Sequence, residues 1–338
     1  KLEKVFPYRS AGGESGKQAA DKRVAIAQAA DERVADVQPA DAPCADSQPA
    51  DAQGVALPLA PAPIRAPTLR TARPIAVIPT FPGTNCEVDT ARALARAGAE
   101  PRILLVQNLT PAQVARSVDA MQQAIEQSQM LVFPGGFSGG DEPDGSGKFI
   151  TAFFRNPAVK QAVHALLDDR DGLILGICNG FQALIKLGLV PFGRIMDTDE
   201  TCPTLTFNTI GRHQSMLVRT RVASTQSPWL SQSKVGDIHT VAVSHGEGRF
   251  VCGESLLTQL QANRQIATQY VGLDGKPSMD VRVNPNGSVL AVEGVTSPDG
   301  RVLGKMGHTE RTGRYLYKNV GGDIAQPVFE SGVAYFRG

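Results

Sequence analysis

The chain has 338 residues, and its 34 basic and 33 acidic side chains leave a formal net charge of +1. This balance argues against nucleic acid or an anionic membrane as a partner, and no apolar run approaches the roughly 20 residues that span a bilayer. Five cysteines without C-x-x-C spacing argue against a disulfide framework or a zinc site. We therefore expect a cytoplasmic protein of the reducing cytosol, with no bound metal.

The N-terminal part of the chain is low in complexity. A ten-residue repeat begins as Gln-Ala-Ala-Asp at positions 18 and 28 and continues as Gln-Pro-Ala-Asp at 38 and 48. Short repeats without a large apolar face cannot stack into a solenoid, and the many prolines keep the chain extended. The composition predicts a disordered linker over 11–72, with a specific binding tail as the alternative. An ordered domain is expected over 73–338.

Strands and helices alternate in the first half of that domain. Apolar runs predict strands at 75–78, 102–106, 130–133 and 172–177. Helices are predicted from an Asn85 N-cap to Ala97, from Pro111 onward, and over 148–154 and 157–168. This alternation is typical of an α/β fold, a doubly wound and mostly parallel sheet with helices on both faces.

The second half, after Gly188, is rich in strands. Strands are predicted at 216–222, 238–243 and 288–295. The sequence Ser-Pro-Asp-Gly at 297–300 is typical of a turn, so a hairpin is predicted over 288–306. We expect this β-rich half to continue the same sheet through an antiparallel edge.

The sequence Gly176-Ile-Cys-Asn-Gly180 follows the fourth predicted strand and precedes an amphipathic stretch. Its G-x-C-x-G spacing is that of a nucleophile elbow with a thiol, in which the glycines allow a sharp strand-to-helix turn. Cys178 is then expected at a helix N-terminus, where the helix dipole favours thiolate. The Asn179 amide becomes a candidate oxyanion donor. A buried core cysteine beside packing glycines is the alternative.

His308 and Glu310 are candidates for a general base and its orienting acid. In an extended segment, residues two apart point the same way, so Glu310 is expected to reach the His308 ring and fix its tautomer. Alone, the segment is more typical of a surface turn, but with the elbow it predicts a Cys-His-Glu triad. The glycines that end the third strand are candidates for substrate binding (Gly135) and for the second oxyanion donor (Gly136), with a simple turn as the alternative.

Three further residues are weaker candidates. Gln182 lies one helical turn after Cys178, so its amide is expected to hold a polar substrate or else to be an exposed surface group. His245 and Glu247 belong to a polar loop after a strand and are expected to face a substrate or a partner. Cys86 lacks a following glycine, and we interpret it as structural.

Five stretches together resemble the class I (triad) glutamine amidotransferases, and more closely the glutaminase domains of phosphoribosylformylglycinamidine synthases, which act in purine biosynthesis. They are FPGTNCEVD, VFPGGFSGGDEPDGSGKFI, GICNGFQALIKLGL, SHGEGRF and KMGHTER. The resemblance runs from about residue 74 to residue 338. One departure is Gly307, where many relatives have proline.

The resemblance implies a flavodoxin-like fold and hydrolysis of the glutamine side-chain amide. It places the nucleophile at Cys178, the base at His308 and the orienting acid at Glu310. It also implies an oxyanion contact at Gly136 and a substrate contact at Gln182.

The resemblance also implies a partner. The family's synthetase part binds ATP, Mg²⁺ and formylglycinamide ribonucleotide, and it receives ammonia through a protected passage. Nothing in this sequence resembles that part, and it contains no phosphate-binding loop of the G-x-x-x-x-G-K type. We therefore expect no cofactor in this chain and place ATP and Mg²⁺ on a synthetase, in the same longer polypeptide or in a separate subunit. Residues 1–10 are a candidate for the end of that synthetase.

Two other classes of function remain open. A thiol hydrolase or peptidase of the related flavodoxin-like superfamily would act on acyl or peptide substrates. A non-catalytic module would only dock on a synthetase, and the intact set of Cys178, His308 and Glu310 argues against it. Glutamate release with and without a synthetase separates the three functions.

Overall fold

The computed structural model describes Leu57 and residues 64–137, 146–313 and 315–338. The predicted synthetase tail at 1–10, the decapeptide repeats and most of the predicted linker lie outside the described residues. Within the part of the chain that is described, no helix is both long and apolar enough to cross a membrane.

The first half of the domain forms the parallel side of a nine-stranded sheet. Its strands are β1 (Ile75–Thr80), β2 (Glu100–Leu105), β3 (Met130–Phe133) and β4 (Leu173–Ile177). Its helices are α1 (Glu87–Ala97), α2 (Pro111–Gln127), α3 (Lys148–Phe154), α4 (Pro157–Asp168), α5 (Asn179–Leu187) and the short α6 (Leu189–Phe192). These elements confirm the predicted alternation, and α3 and α4 have their predicted bounds.

The second half adds antiparallel strands to the same sheet. Its strands are β5 (Thr204–Phe207), β6 (Gln214–Val222), β7 (Ile238–His245), β8 (Glu247–Val251), β9 (Ile266–Val271), β10 (Val292–Thr296) and β11 (Val302–Lys305). Its helices are α7 (Glu254–Ala262) and α8 (Val328–Arg337), with 3₁₀ turns at Pro228–Leu230 and Val289–Ala291. The sheet order is β2-β1-β3-β4-β11-β10-β9-β6-β7, parallel from β2 to β11 and antiparallel beyond. The predicted antiparallel edge is confirmed, and β5 pairs with β8 in a separate two-stranded sheet.

Local sequence explains where several helices begin and end. Thr110 caps α2, with its hydroxyl accepting a backbone N–H at 3.2 Å, and Pro111 occupies the first helical position. Gly98 ends α1 with a φ of 96°, as predicted. The prediction of Asn85 as the N-cap of α1 is wrong. The cap is Cys86, and the Asn85 side-chain oxygen instead accepts from the Cys86 thiol at 3.1 Å.

The predicted hairpin is formed by β10 and β11. Gly300 closes its turn by donating to Ser297 O at 3.0 Å. The first strand begins later than predicted, at Val292, because the three residues before it form a 3₁₀ turn. The second strand lies between β4 and β10 in the middle of the sheet, with Lys305 opposite Ile177. The residues after β11 therefore lie beside the residues that follow β4, at the carboxyl ends of the parallel strands.

Residues 64–72 pack against the domain, which corrects the prediction of a linker for this segment. Both the N–H and the hydroxyl of Thr68 donate to the Asp171 carboxylate, the N–H at 3.0 Å. The backbone of Thr71 and Ala72 is bonded to the end of α8, at 2.9 and 2.8 Å. These polar partners are far away in sequence, so the composition of the segment could not indicate them.

The single tryptophan of the chain connects the two halves of the domain. Trp229 is fully buried, and its indole Nε1 donates to the backbone oxygen of Ile174 in β4 at 3.0 Å. Its ring packs so closely on α8 that a Cβ at Gly332 would overlap it. The C-terminal helix is thereby packed onto a side chain that is bonded to the strand leading to Cys178.

Candidate functional site

Three loops meet where strands β3, β4 and β11 end. These strands are parallel neighbours, so their carboxyl ends lie on the same edge of the sheet. They lead into Gly135 and Gly136, into Cys178, and into the segment of His308, respectively. The Cys178 N–H donates to Lys305 O at 2.9 Å, which ties two of the loops together. Strand order thus brings residues from three distant parts of the sequence to one place.

Cys178 lies in the sharp turn that the sequence predicts. Its φ of 52° and ψ of −106° are strained for a residue with a side chain, and it is the N-cap of α5. Both flanking glycines are required by close packing. A Cβ at Gly176 would lie 2.6 Å from Leu184 Cδ1, and a Cβ at Gly180 would overlap the Phe133 carbonyl of β3.

Burial sets the protonation state of Cys178, whose exposed fraction is 4%. The pKa of its thiol is raised to about 12, mainly by desolvation and then by the charges of Cys86 and Glu310. Arg311 and a backbone hydrogen bond with Asn179 lower this pKa. The sequence predicts that the helix dipole favours thiolate, but the net effect of the surroundings is a raised pKa, because desolvation is the largest cause. Cys178 is a neutral thiol near pH 7.

His308 and Glu310 form the contact that their spacing predicts. Glu310 Oε1 lies 2.6 Å from His308 Nδ1, and both side chains are buried. Burial raises the pKa of Glu310, but the His308 ring and Arg311 lower it to a net value below its usual range. The carboxylate favours a proton on Nδ1 and leaves Nε2 to accept one. The backbone N–H of His308 also donates to Ala242 O of β7 at 2.8 Å.

Among the described residues, no hydrogen bond joins Cys178 to His308. Cys178 Sγ instead donates to the backbone oxygen of Ser244 at 3.6 Å. The Nε2 atom of His308 is buried without a hydrogen-bond partner in the described chain. The predicted nucleophile and base are thus on neighbouring loops, in an arrangement in which the thiol is directed toward β7.

The double glycine after β3 leaves room for the histidine ring. A Cβ at Gly135 would lie 2.6 Å from His308 Cε1 and 3.2 Å from Cys86 Sγ. Gly136 has a φ of 151°, and a Cβ there would lie 2.7 Å from Gly83 O. This packing role was not indicated by the sequence. Substrate binding at Gly135 and oxyanion donation at Gly136 stay predictions.

Cys86 is the site residue that sequence reasoning missed. Its Sγ lies 3.9 Å from His308 Nδ1, and Arg311 Nη2 donates to this sulfur at 3.0 Å. Burial, followed by the charge of Glu310, raises the pKa of its thiol to about 11. The available signal was its place in FPGTNCEVD, one of the five family-like motifs. A missing glycine excludes only an elbow, not a place in the site.

The same side chains form a set of metal-ligand types. The ligand atoms of Cys86, His308 and Glu310 lie within 4.8 Å of one another, and all three residues are buried. The Arg311 guanidinium beside Cys86 puts a positive charge against this set, which opposes the binding of a cation. The arrangement therefore fits proton transfer better than metal binding.

The weaker candidates are buried and bonded within the protein. Gln182 accepts from Asn179 Nδ2 at 3.0 Å and donates to the backbone oxygen of Glu247, so it is not an exposed surface group. His245 Nδ1 lies 3.2 Å from Asn208 Oδ1, and Glu247 Oε2 accepts a backbone N–H at 2.9 Å. Both belong to a buried polar network, but His245 Nε2 and Glu247 Oε1 have no hydrogen-bond partner among the described residues. The expectation that these two side chains face a substrate or a partner stays a prediction.

A family model, curated relatives and a solved structure all match the domain that begins just before β1. A family model for the CobB/CobQ-like glutamine amidotransferase domain matches residues 73–336. The chain is 32% identical to phosphoribosylformylglycinamidine synthase subunit PurQ of Methanococcus maripaludis over 214 residues. The aligned region covers 63% of this chain and 73% of that protein. Over 251 residues, the chain is 32% identical to the protein of the same name from Salinibacter ruber, which covers 74% of this chain and 92% of that protein.

A solved structure is similar across the same domain. It is described as the structure of PurLQS from Thermotoga maritima, and it matches with a TM-score of 0.56 and 25% sequence identity. The match covers 78% of this chain and 99% of that chain. The family model begins just before β1 and ends within α8, so it spans both halves of the sheet.

Proposed function

Because this chain belongs to the family of CobB/CobQ-like glutamine amidotransferase domains, we propose that it is the glutaminase part of a phosphoribosylformylglycinamidine synthase. It hydrolyses glutamine to glutamate and ammonia. The ammonia serves the ATP-dependent conversion of formylglycinamide ribonucleotide to formylglycinamidine ribonucleotide in purine biosynthesis. Relatives that carry the name of this synthase, at 32% identity, support the substrate and the pathway.

One observation carries the proposal for the reacting residues. A buried hydrogen bond of 2.6 Å joins His308 to Glu310, on the loop next to the Cys178 elbow. A histidine with one nitrogen bound to a carboxylate and the other unpaired has the arrangement of a general base.

The first half of the proposed reaction forms a thioester. His308 Nε2 takes the proton of Cys178 Sγ, and the sulfur attacks the carboxamide carbon of the glutamine side chain. N–H groups of Gly136 and Asn179 donate to the oxyanion, each donor contributing about 3 to 4 kcal/mol. His308 then gives its proton to the departing nitrogen, and ammonia leaves.

The second half releases glutamate. Water attacks the thioester carbon while His308 Nε2 removes a proton from that water. The carbon–sulfur bond then breaks, and the leaving sulfur takes the proton back from His308, which restores the Cys178 thiol. Glu310 stabilises the imidazolium that forms in each half and keeps the ring in the tautomer with Nδ1 protonated. One water is consumed, and glutamate and ammonia are produced.

Docking of the synthetase controls the first step in this proposal. The neutral thiol and its bond to Ser244 O support a resting state in which Cys178 and His308 are not yet aligned. Synthetase docking turns the thiol from Ser244 toward His308. Because ammonia is formed only after the Cys178 thiol has reoriented, no ammonia is released before the synthetase has docked.

This chain holds no cofactor, and ATP and Mg²⁺ are bound by the synthetase, within the same polypeptide or as a separate subunit. Glutamine is the small-molecule substrate, and neither nucleic acid nor membrane takes part. The reaction occurs in the cytosol, which is supported by the free thiols of the described cysteines, namely Cys86, Cys178, Cys202 and Cys252.

Glutamate release measured with and without the synthetase and its ligands tests the function. We expect slow or no release by this chain alone, strong stimulation by the synthetase, and complete loss in Cys178→Ser. A glutamine-like chloroketone should label Cys178 in the stimulated complex, and Cys202→Ser is the matched control. Hydrolysis of acyl or peptide substrates without any synthetase, or label on a different cysteine, would contradict the proposal.

A further inference from the structure

A buried pair of opposite charges lies directly behind the histidine loop. Lys305 ends β11 and Glu293 lies in β10, and neither side chain has any exposed surface. Lys305 Nζ is 3.5 Å from Glu293 Oε1. Charged side chains are almost never fully buried without a specific reason, since losing their hydration is costly.

Both members of the pair bind the backbone of Gly307, the residue before His308. Glu293 Oε1 accepts the Gly307 N–H at 2.6 Å, and Lys305 Nζ donates to Gly307 O at 2.9 Å. Lys305 Nζ also donates to the Thr309 hydroxyl at 2.8 Å. The residue before His308 is thus held at both its N–H and its carbonyl, and the residue after it is held by its side chain.

We propose that the Lys305–Glu293 pair positions His308 for proton transfer. Neither residue touches the reacting atoms, so both act through the loop as positioning residues. Glu293 is itself fixed, because Thr268 donates to its second carboxylate oxygen and its backbone oxygen accepts the Met306 N–H at 3.2 Å. The role of the pair rests on the proposed function of His308 as the base.

The geometry around Gly307 supports a dedicated loop anchor. A Cβ at Gly307 would lie 2.9 Å from Glu293 Oε1 and 2.7 Å from Val241 Cγ2. A proline there would have no N–H for Glu293 to accept. Thr309 is also bonded on its other side, because its hydroxyl donates to Gln326 Oε1 at 2.9 Å. The loop is therefore held by charge-assisted bonds, which are shorter and stronger than neutral ones.

The test compares Glu293→Gln, Lys305→Met and the double variant in the full chain, assembled with the synthetase and its ligands. A single variant leaves one buried charge unpaired and is expected to impair folding. The double variant removes both charges at similar volume and is expected to fold. Arg221→Met is the matched control, because Arg221 is a buried cation bonded to Gln269 in strands away from the site.

Steady-state kinetics of the double variant should separate positioning from folding. We expect kcat for glutamate release to fall roughly 10- to 100-fold, with KM for glutamine within about twofold, because a small displacement of a catalytic group has effects of this size. Arg221→Met should keep the wild-type kcat. A double variant that folds and keeps the wild-type kcat would overturn the proposal.

A spectroscopic readout tests the positioning without relying on activity. The proton between His308 Nδ1 and Glu310 should give a downfield proton resonance, assigned by its loss in His308→Gln. The double variant should lose or shift this resonance, and an unchanged resonance would overturn the proposal. If the wild-type complex releases no glutamate, the proposed function fails, while the resonance still decides whether the pair holds the ring.

Discussion

His245 is a buried histidine that the fold keeps neutral. The residue is 2% exposed, and its Nδ1 lies 3.2 Å from Asn208 Oδ1. Burial, followed by the nearby rings of His308 and His213, lowers its pKa from 6.5 to about 3. In the unfolded chain the ring takes up a proton near pH 6.5, whereas in the folded chain it does so only near pH 3. Acid therefore favours the unfolded chain across this interval.

The free energy of unfolding should consequently fall as the pH drops below 6.5. Between pH 7 and pH 5, His245 alone should remove about 2 kcal/mol of stability, because each pH unit in the linked range is worth about 1.4 kcal/mol. Urea unfolding at pH 7, 6 and 5 measures this slope. His245→Gln should flatten this slope. Equal slopes in the wild type and in His245→Gln would refute the assignment.

Gly135 offers a test of the space that the His308 ring needs. Alanine at this position should push the ring away, because its Cβ would lie 2.6 Å from His308 Cε1. We expect Gly135→Ala to lower the synthetase-stimulated kcat by about 10- to 100-fold. Gly253→Ala is the control, because a Cβ there meets nothing within 4 Å. Wild-type turnover in Gly135→Ala would show that the ring has more freedom than the packing indicates.

The residues of the site differ in how far sequence could predict them. Glu310 is two positions from His308, so their contact follows from local chain geometry. The contact between Cys86 and His308 joins residues 222 positions apart, and it depends on where β1 lies in the sheet. The raised pKa of Cys178 was not predictable either, because desolvation depends on how completely the folded chain covers the turn.

The turn between β4 and α5 predicts how the thiol reacts. In the isolated chain, iodoacetamide should modify Cys178 more slowly than the partly exposed Cys202, because thiolate is the reactive species and burial raises the pKa of Cys178 to about 12. The modification rate should still be rising above pH 9. Adding the synthetase and its ligands should increase the rate at pH 7.5 by at least about tenfold, since alignment with His308 permits deprotonation.

Peptide mapping by mass spectrometry after short reaction times measures both rates. Cys202 in the same sample is the internal control, because its partial exposure should not depend on docking. Rapid modification of Cys178 in the isolated chain at pH 7 would contradict a neutral buried thiol.

The elements of the parallel half were predictable because each has a clear local signal. Helix α2 begins with Thr110 and Pro111, and α1 ends at Gly98, so cap and breaker residues mark their bounds. Strand β9 has no such signal. It lies between β10 and β6 and is buried at every position, including the polar Gln269. Its sequence therefore lacks the alternation of apolar and polar residues that indicates a half-buried strand. Helix α7 was missed because Leu260 is its only buried residue, which leaves little amphipathic pattern.

The segment of residues 64–72 packs against the domain and bonds to Asp171 and to the end of α8. Asp171 holds this segment through Thr68 and also contacts Arg301 at 3.5 Å. Asp171→Asn should lower the free energy of unfolding by about 1 to 3 kcal/mol, because the hydrogen bonds lose their charged acceptor. Asparagine tolerates the φ of 51° at this position, so backbone strain is not changed.

Urea unfolding combined with limited proteolysis measures this effect in the full chain. Cleavage near residues 64–72 should become faster in Asp171→Asn. The exposed Asp169→Asn, two residues earlier, is the matched control. Equal stability and equal cleavage rates in the two variants would mean that the segment is not anchored by this carboxylate.

Trp229 makes the integrity of the domain visible to fluorescence. Because it is the only tryptophan, the emission of the protein reports one location, where its indole is bonded to β4 and packed on α8. A dry, hydrogen-bonded indole emits at shorter wavelength than one in water. Release of α8 from the sheet should therefore shift the emission to the red. If the two halves of the sheet melt together, this shift and the loss of circular dichroism will have the same midpoint.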